Sequence, residues 1–149
     1  IKEVINKVGK DTKVMAVVKA DAYGHGAIEV SKALSEIGTY GFAVATVGEA
    51  LALRRAGITK PILILDFVFP NQFETIIRND IMLTVFRYEI AKELNEAAEQ
   101  MGTTAHIHIK VDTGMGRIGF IPDDESIDEI RRISQLPNVE IDGIFTHFP

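Results

Sequence analysis

Lys19 ends an uninterrupted apolar run, Val14-Met15-Ala16-Val17-Val18, where an ammonium group has to be desolvated or paired. Desolvation favours the neutral amine, the form that attacks a carbonyl to give a Schiff base. The plainer reading is a snorkelling lysine at a strand end. Tyr23 follows four residues later with a phenol that suits an anionic oxygen, and Gly24 and Gly26 allow a tight passage into a helix. The block Lys110-Val111-Asp112-Thr113-Gly114-Met115-Gly116-Arg117-Ile118-Gly119 sets an always-charged guanidinium on a glycine-rich turn. Standing alone, it reads equally as a strand-to-loop turn topped by an exposed arginine, with Lys110 bridged to Asp112 on the same strand face. His147, near the end of another apolar run, is either a satisfied polar group or a ligand-facing imidazole. His106 and His108 share one strand face, as paired metal ligands do, but no carboxylate cluster completes such a site in the sequence, so no metal is expected.

Positioning these groups requires strands that end beside them. Apolar runs recur at Val14-Val18, Gly41-Val44, Pro61-Leu65, Ile81-Val85, Ala105-Val111 and Val139-Phe145. The first should be a strand buried on both faces. Between the runs, Ala27, Val30, Leu34 and Ile37 fall at helical spacing, as do Ile90, Leu94, Ala97 and Met101, giving each helix one core-facing stripe. Thr46-Val47-Gly48-Glu49 has the form of a capping box, with Gly57 as the stop. A cap at Asp123 or Asp124 precedes a stripe on Ile127, Ile130 and Ile133. The expected organisation is one domain of six βα units preceded by a helix over Ile1 to Val8, fitting an open doubly wound sheet or a (β/α)8 barrel. In a barrel, Lys19, the loop after Lys110 and His147 would all lie at the C-terminal strand ends, the catalytic face.

At 149 residues and 46% hydrophobic content, the chain has enough apolar material for a core of single-domain size. A net charge of −5 and a pI near 5.4 disfavour nucleic acid and anionic membranes as partners. The absence of cysteine excludes a disulfide framework and thiolate metal sites, no signal-peptide pattern is recognisable, and no apolar run approaches the roughly 20 residues of a membrane span. A cytoplasmic protein is expected.

Val17-Val18-Lys19-Ala20-Asp21-Ala22-Tyr23-Gly24-His25-Gly26 resembles the pyridoxal-phosphate lysine motif of alanine racemases, V-K-A-[DN]-A-Y-G-H-G, at every position. The Lys110 to Gly119 block resembles the second motif of that family and Gly143-Ile144-Phe145-Thr146-His147-Phe148 the third, although Pro149 stands where a small residue is expected. The resemblance covers essentially the whole chain. It implies a (β/α)8 TIM-type barrel, incomplete here at about six of eight βα units, with residues 1–149 its N-terminal part and the last strands and a C-terminal β domain absent. A barrel so interrupted exposes strand edges, so the isolated polypeptide is expected to associate or unfold readily.

The resemblance further implies pyridoxal 5'-phosphate attached to Lys19, which also moves a proton at the substrate α-carbon. Tyr23 would bond the cofactor phosphate, Arg117 its phenolic oxygen, and His147 would pack on its ring. Arg117 and Met115 would border the small amino-acid substrate. Lys110 would be carbamylated, its new negative charge holding Arg117. The proton on the opposite face belongs, in that family, to a tyrosine of the β domain of the second subunit of a homodimer; Tyr23, Tyr40 and Tyr88 do not match it. The implied activity is interconversion of L- and D-alanine for peptidoglycan precursors, with a serine or broad-specificity racemase as the nearest alternative. A non-catalytic pyridoxal-phosphate-binding protein and a metal-dependent barrel hydrolase are the alternatives from other classes.

Overall fold

Short β-branched runs become parallel strands, and the amphipathic stretches between them become helices, in the computed structural model, which describes residues 1–149. The chain divides into two units, Ile1–Asp66 and Phe67–Pro149.

In the first unit, α1 (Lys2–Val8) precedes β1 (Met15–Val17), the single turn α2 (Lys19–Gly24), α3 (Ala27–Glu36), β2 (Gly41–Val44), α4 (Val47–Arg55) and β3 (Ile62–Ile64). β1 pairs in parallel with β2, Met15 opposite Gly41, and β2 with β3, Phe42 opposite Ile62. Both faces of β2 and β3 are buried, with Phe42, Val44, Ile62 and Ile64 at 0% exposure. Glycine opens β2 because a Cβ there would stand 2.6 Å from the Pro61 carbonyl oxygen. The expected burial of β1 on both faces is not met: Val17 is 44% exposed, since β1 is the end strand of this unit's sheet and only Val18 beyond it is fully buried. The stripe of Ala27, Val30, Leu34 and Ile37 is half-buried, and the one fully buried residue of α3 is Ser31, outside that stripe.

α4 carries the capping box expected from its sequence. Thr46 Oγ1 accepts from the Glu49 N–H, and the Glu49 carboxylate accepts from the Thr46 N–H, so two otherwise unpaired amides of the helix start are satisfied. Gly57, at φ 88°, takes the left-handed position just past the helix end, which glycine occupies without a Cβ penalty.

The second unit runs through a 3-10 turn (Pro70–Gln72), α5 (Phe73–Arg78), β4 (Met82–Val85), α6 (Tyr88–Gln100), β5 (Ala105–Val111), α7 (Asp124–Ile133) and β6 (Val139–Thr146). β4, β5 and β6 are parallel in that order, Leu83 opposite Ile107 and Ile107 opposite Ile141. Ile90, Ala91, Leu94 and Ala98 bury one face of α6, while Ala97 and Met101 lie at the stripe's half-exposed margin. Asp123 caps α7 by accepting from the Ser126 N–H. On α7, Ile133 is fully buried but Ile127 is 52% exposed, so the predicted stripe faces the core only at its C-terminal end. A register shift after Ile107 brings His108 opposite Gly143, leaving Asp142 as the extra residue of a β-bulge.

Each unit therefore alternates consecutive parallel strands with helices, three strands apiece. This is the α/β organisation read from the sequence. No helix is long and apolar enough to cross a membrane.

Candidate active site

Lys19 is half-buried and begins α2, one residue beyond the fully buried Val18 and two beyond β1. The Val18 N–H still donates to the Ala43 carbonyl at 2.8 Å, so the sheet ladder holds the chain up to the residue before the lysine. Immediately after it, Ala20, Asp21, Ala22 and Tyr23 all adopt left-handed backbone, with φ of 50°, 53°, 52° and 56°. A left-handed turn costs roughly 1–2 kcal/mol per residue for L-amino acids, and such segments persist only where their surroundings over-determine them. Here the Ala22 N–H donates to Val18 O at 2.9 Å, the Gly26 N–H to Asp21 O at 2.9 Å, and the Ala27 N–H to Asp21 Oδ1 at 2.7 Å. The Ala20 N–H donates to Glu49 Oε1 at 2.7 Å. The turn leaves Tyr23 62% exposed, so its phenol is free to meet a ligand rather than half-packed. Gly24 and Gly26, both near φ 90°, then lead into α3.

In the second unit, Lys110 is the next-to-last residue of β5 and only 4% exposed. Its Nζ donates to the Val111 carbonyl at 3.1 Å and lies 5.5 Å from the centroid of the Phe145 ring. Burial pushes its ammonium below the ordinary lysine value; Asp112 opposes that shift and the Arg117 guanidinium reinforces it. The surface salt bridge to Asp112 that the isolated block allowed is not formed, because the Asp112 carboxylate is engaged elsewhere. It accepts from the N–H groups of Gly114 at 2.9 Å, Gly116 at 3.0 Å and Arg117 at 3.0 Å. Those bonds, Gly116 foremost, hold the carboxyl below its usual range. Asp112 is thereby the organiser of the loop that carries Met115, 37% exposed, and Arg117, whose side chain is exposed. Gly119 closes the loop: at φ 141°, a Cβ would meet the Asp112 nitrogen at 2.4 Å, a passage only glycine fits. Thr113 and Thr146 join hydroxyls at 2.7 Å, tying this loop to the end of β6. His147 follows β6 directly and is exposed.

Lys19, Lys110 with its Arg117 loop, and His147 thus each stand at the C-terminal end of a parallel strand, as expected. The two roles of Asp112 and Glu49 were missed in the sequence. Asp112 sits inside a motif and could have been found as an aspartate two residues before a glycine turn.

His106 and His108 do not form a paired site. His106 Nδ1 lies 3.0 Å from Asp142 Oδ2, with Glu140 alongside, a carboxylate cluster that the bulge assembles. His108 instead packs against Gly143 and edge-on to Phe145, and its burial lowers the imidazole pKa, Asp142 partly offsetting this. The His106 group lies toward the start of β5, away from the strand ends.

Comparison with known proteins places this geometry in context. The family described as "Alanine racemase, N-terminal domain" matches residues 1–149. A curated alanine racemase of Clostridium tetani is 51% identical over 144 residues, 97% of this chain and 37% of that protein. The structure of an alanine racemase from Clostridium difficile 630 in complex with cycloserine superposes with a TM-score of 0.95 at 44% identity, covering 97% of this chain and 40% of its own. A histidine racemase from Leuconostoc mesenteroides subsp. sake superposes at 0.86 with 31% identity over 92% of this chain and 37% of its own. The chain accordingly spans well under half the length of these relatives.

Proposed function

Because the chain belongs to the alanine racemase N-terminal-domain family and its α/β fold, part of a (β/α)8 barrel, superposes on alanine racemase structures, we propose that the full-length protein is a pyridoxal-phosphate-dependent racemase interconverting L- and D-alanine. The observation that carries this reading is Lys19 itself, a half-buried primary amine at a strand's C-terminal end, followed by a strained turn that leaves a phenol exposed. The residue chemistry suits the cofactor: on this reading Lys19 Nζ would hold its carbonyl carbon and Tyr23 would donate to its phosphate, while Arg117 and His147 would be the groups assigned to its phenolic oxygen and its ring. When bound, pyridoxal phosphate supplies the electron sink for charge developing at the substrate α-carbon.

Lys19 Nζ carries the proton on one face of that carbon, as general base in one direction of the reaction and general acid in the other. Arg117, permanently charged, with Met115 on the same loop, orients the substrate carboxylate. We assign the opposite face to a group beyond these 149 residues. Tyr40 and Tyr88 match no position of the family's motifs; their rings carry Lys13 Nζ at 4.5 Å and the Arg132 guanidinium at 3.8 Å.

Lys110 fits the proposed carbamylation. Its burial favours the neutral amine that adds carbon dioxide, and a carbamate would turn its repulsion toward Arg117 into attraction. The proposal extends to the whole protein as a cytoplasmic homodimer with the remaining strands and a C-terminal β domain, supplying D-alanine for peptidoglycan. The histidine racemase of the same architecture supports a second reading, a racemase of serine or of broader specificity, in which the substrate pocket is shaped outside this chain.

The test is to incubate the full-length protein with pyridoxal phosphate, reduce with borohydride, map the adduct by mass spectrometry, and assay racemisation of alanine and serine. Attachment at Lys19, abolished together with racemisation in Lys19→Ala, is expected. An adduct confined to any other residue overturns the assignment.

A further inference from the structure

Glu49 makes more bonds than its place in a helix cap requires. A capping box needs one carboxylate oxygen to return to the N-cap amide. Here Oε2 alone does this and more, accepting from the N–H groups of Ala45 at 2.7 Å and Thr46 at 3.0 Å. Oε1 reaches back 29 residues along the chain to the Ala20 N–H at 2.7 Å. That N–H belongs to the peptide joining Lys19 to Ala20, whose orientation sets the direction of the Lys19 side chain. It is also the entry to the four left-handed residues Ala20–Tyr23. The exit of the turn has its own anchor in Asp21 Oδ1 and the Ala27 N–H, whereas at the entry the side-chain anchor is Glu49.

We propose that Glu49 is a positioning residue for Lys19: its carboxylate spans the start of α4, the end of β2 and the Lys19–Ala20 peptide, holding the lysine in the orientation from which its amine meets a carbonyl. This rests on the assignment of Lys19 as the cofactor lysine. A carboxylate suits the task because it is the side chain that accepts on both oxygens at once, and N–H bonds to an ionised acceptor are roughly twice as strong as neutral ones. The uncharged isostere fails physically. Glutamine offers one accepting oxygen and an NH2 group that would face another donor, so either the Ala20 bond or the bonds to Ala45 and Thr46 are lost.

The experiment compares full-length wild type, Glu49→Gln, Glu49→Ala and Thr46→Ala. Three quantities are read: hydrogen exchange at the Ala20 amide in the protein freed of cofactor, the fraction of Lys19 trapped by borohydride at limiting pyridoxal phosphate, and the urea midpoint. Thr46→Ala removes half of the capping box but leaves the Glu49–Ala20 bond. Both Glu49 variants should speed Ala20 exchange and raise the pyridoxal phosphate concentration for half-trapping about tenfold, the scale of one lost charge-assisted hydrogen bond. Thr46→Ala should lower the urea midpoint while leaving both other readouts at wild-type values. The proposal is overturned if Glu49→Gln traps Lys19 as wild type does, or if Thr46→Ala weakens trapping as much as the Glu49 variants. A wild-type adduct on a residue other than Lys19 would instead overturn the cofactor assignment, and is recognised separately by its mass-spectrometric position.

Discussion

Replacing Gly143 with alanine sets β5 against β6 at one well-defined point. A Cβ on residue 143 would stand 2.8 Å from Cε1 and 2.9 Å from Nδ1 of the His108 ring, roughly 0.7 Å inside a comfortable carbon–carbon separation. The ring can yield only by turning away from Phe145, which lies edge-on to it at 6.2 Å, because its backbone is fixed opposite residue 143 in the ladder. Overpacking of this kind costs about 1–3 kcal/mol. Removing the ring in His108→Ala forfeits the burial of a partly exposed imidazole, about 1–2 kcal/mol. With the ring gone, however, the new methyl enters vacated space, so the double variant should be little less stable than His108→Ala alone. The pair should therefore show a coupling of about 1–3 kcal/mol. The assay is urea unfolding of the full-length protein and the three variants, followed by circular dichroism and compared at common slope. Additivity within about 0.5 kcal/mol would refute the reasoning. It would mean that the strands separate at Gly143 rather than compressing the ring.

Two titrations extend the set. Burial lowers the pKa of the unmodified Lys110 amine, so in bicarbonate-free buffer, where no carbamate is held, the folded protein binds fewer protons than the unfolded chain between that lowered value and about 10.4; stability should rise with pH across this window, and Lys110→Met should flatten the rise in denaturant midpoints measured from neutral to alkaline pH. If the wild-type and Lys110→Met profiles stay parallel, the ammonium is not desolvated. For Asp112, whose carboxyl is held low by backbone donors, protection of the Gly114, Gly116 and Arg117 amides against hydrogen exchange should survive below the usual carboxyl range and disappear only as pH falls through the depressed value. Asp112→Ala should expose the three amides at every pH; unchanged protection in that variant would show that the loop is held by its glycines alone.

Much of the local organisation follows from the sequence by itself, because its causes are local. The Thr46–Glu49 box and the Asp123 cap are side chains satisfying amides within one turn of themselves, the Gly57 stop donates its backbone N–H to the Arg54 carbonyl, and each forms as its spacing predicts. The six strands fall where apolar runs fall, within a residue or two, and β2 and β3, buried on both faces, are apolar throughout. The positions of Lys19, Lys110, Arg117 and His147 after or near strand ends follow from that same patterning.

What the tertiary structure alone decided has non-local causes. Ala20-Asp21-Ala22-Tyr23 contains no glycine or asparagine to announce left-handed backbone, and besides its local bonds its entry amide is bonded to Glu49, 29 residues away from Ala20 in sequence. The burial of Lys110, and with it the lowered pKa of its amine, depends on what packs over β5. The bulge at Asp142 turns a histidine pair into two unlike environments, one within hydrogen-bond distance of Asp142 and one packed on Gly143. Residue types and spacing could name the reacting groups. The backbone beside Lys19 and the burial of Lys110 depend on groups distant in sequence that only the folded chain brings to them.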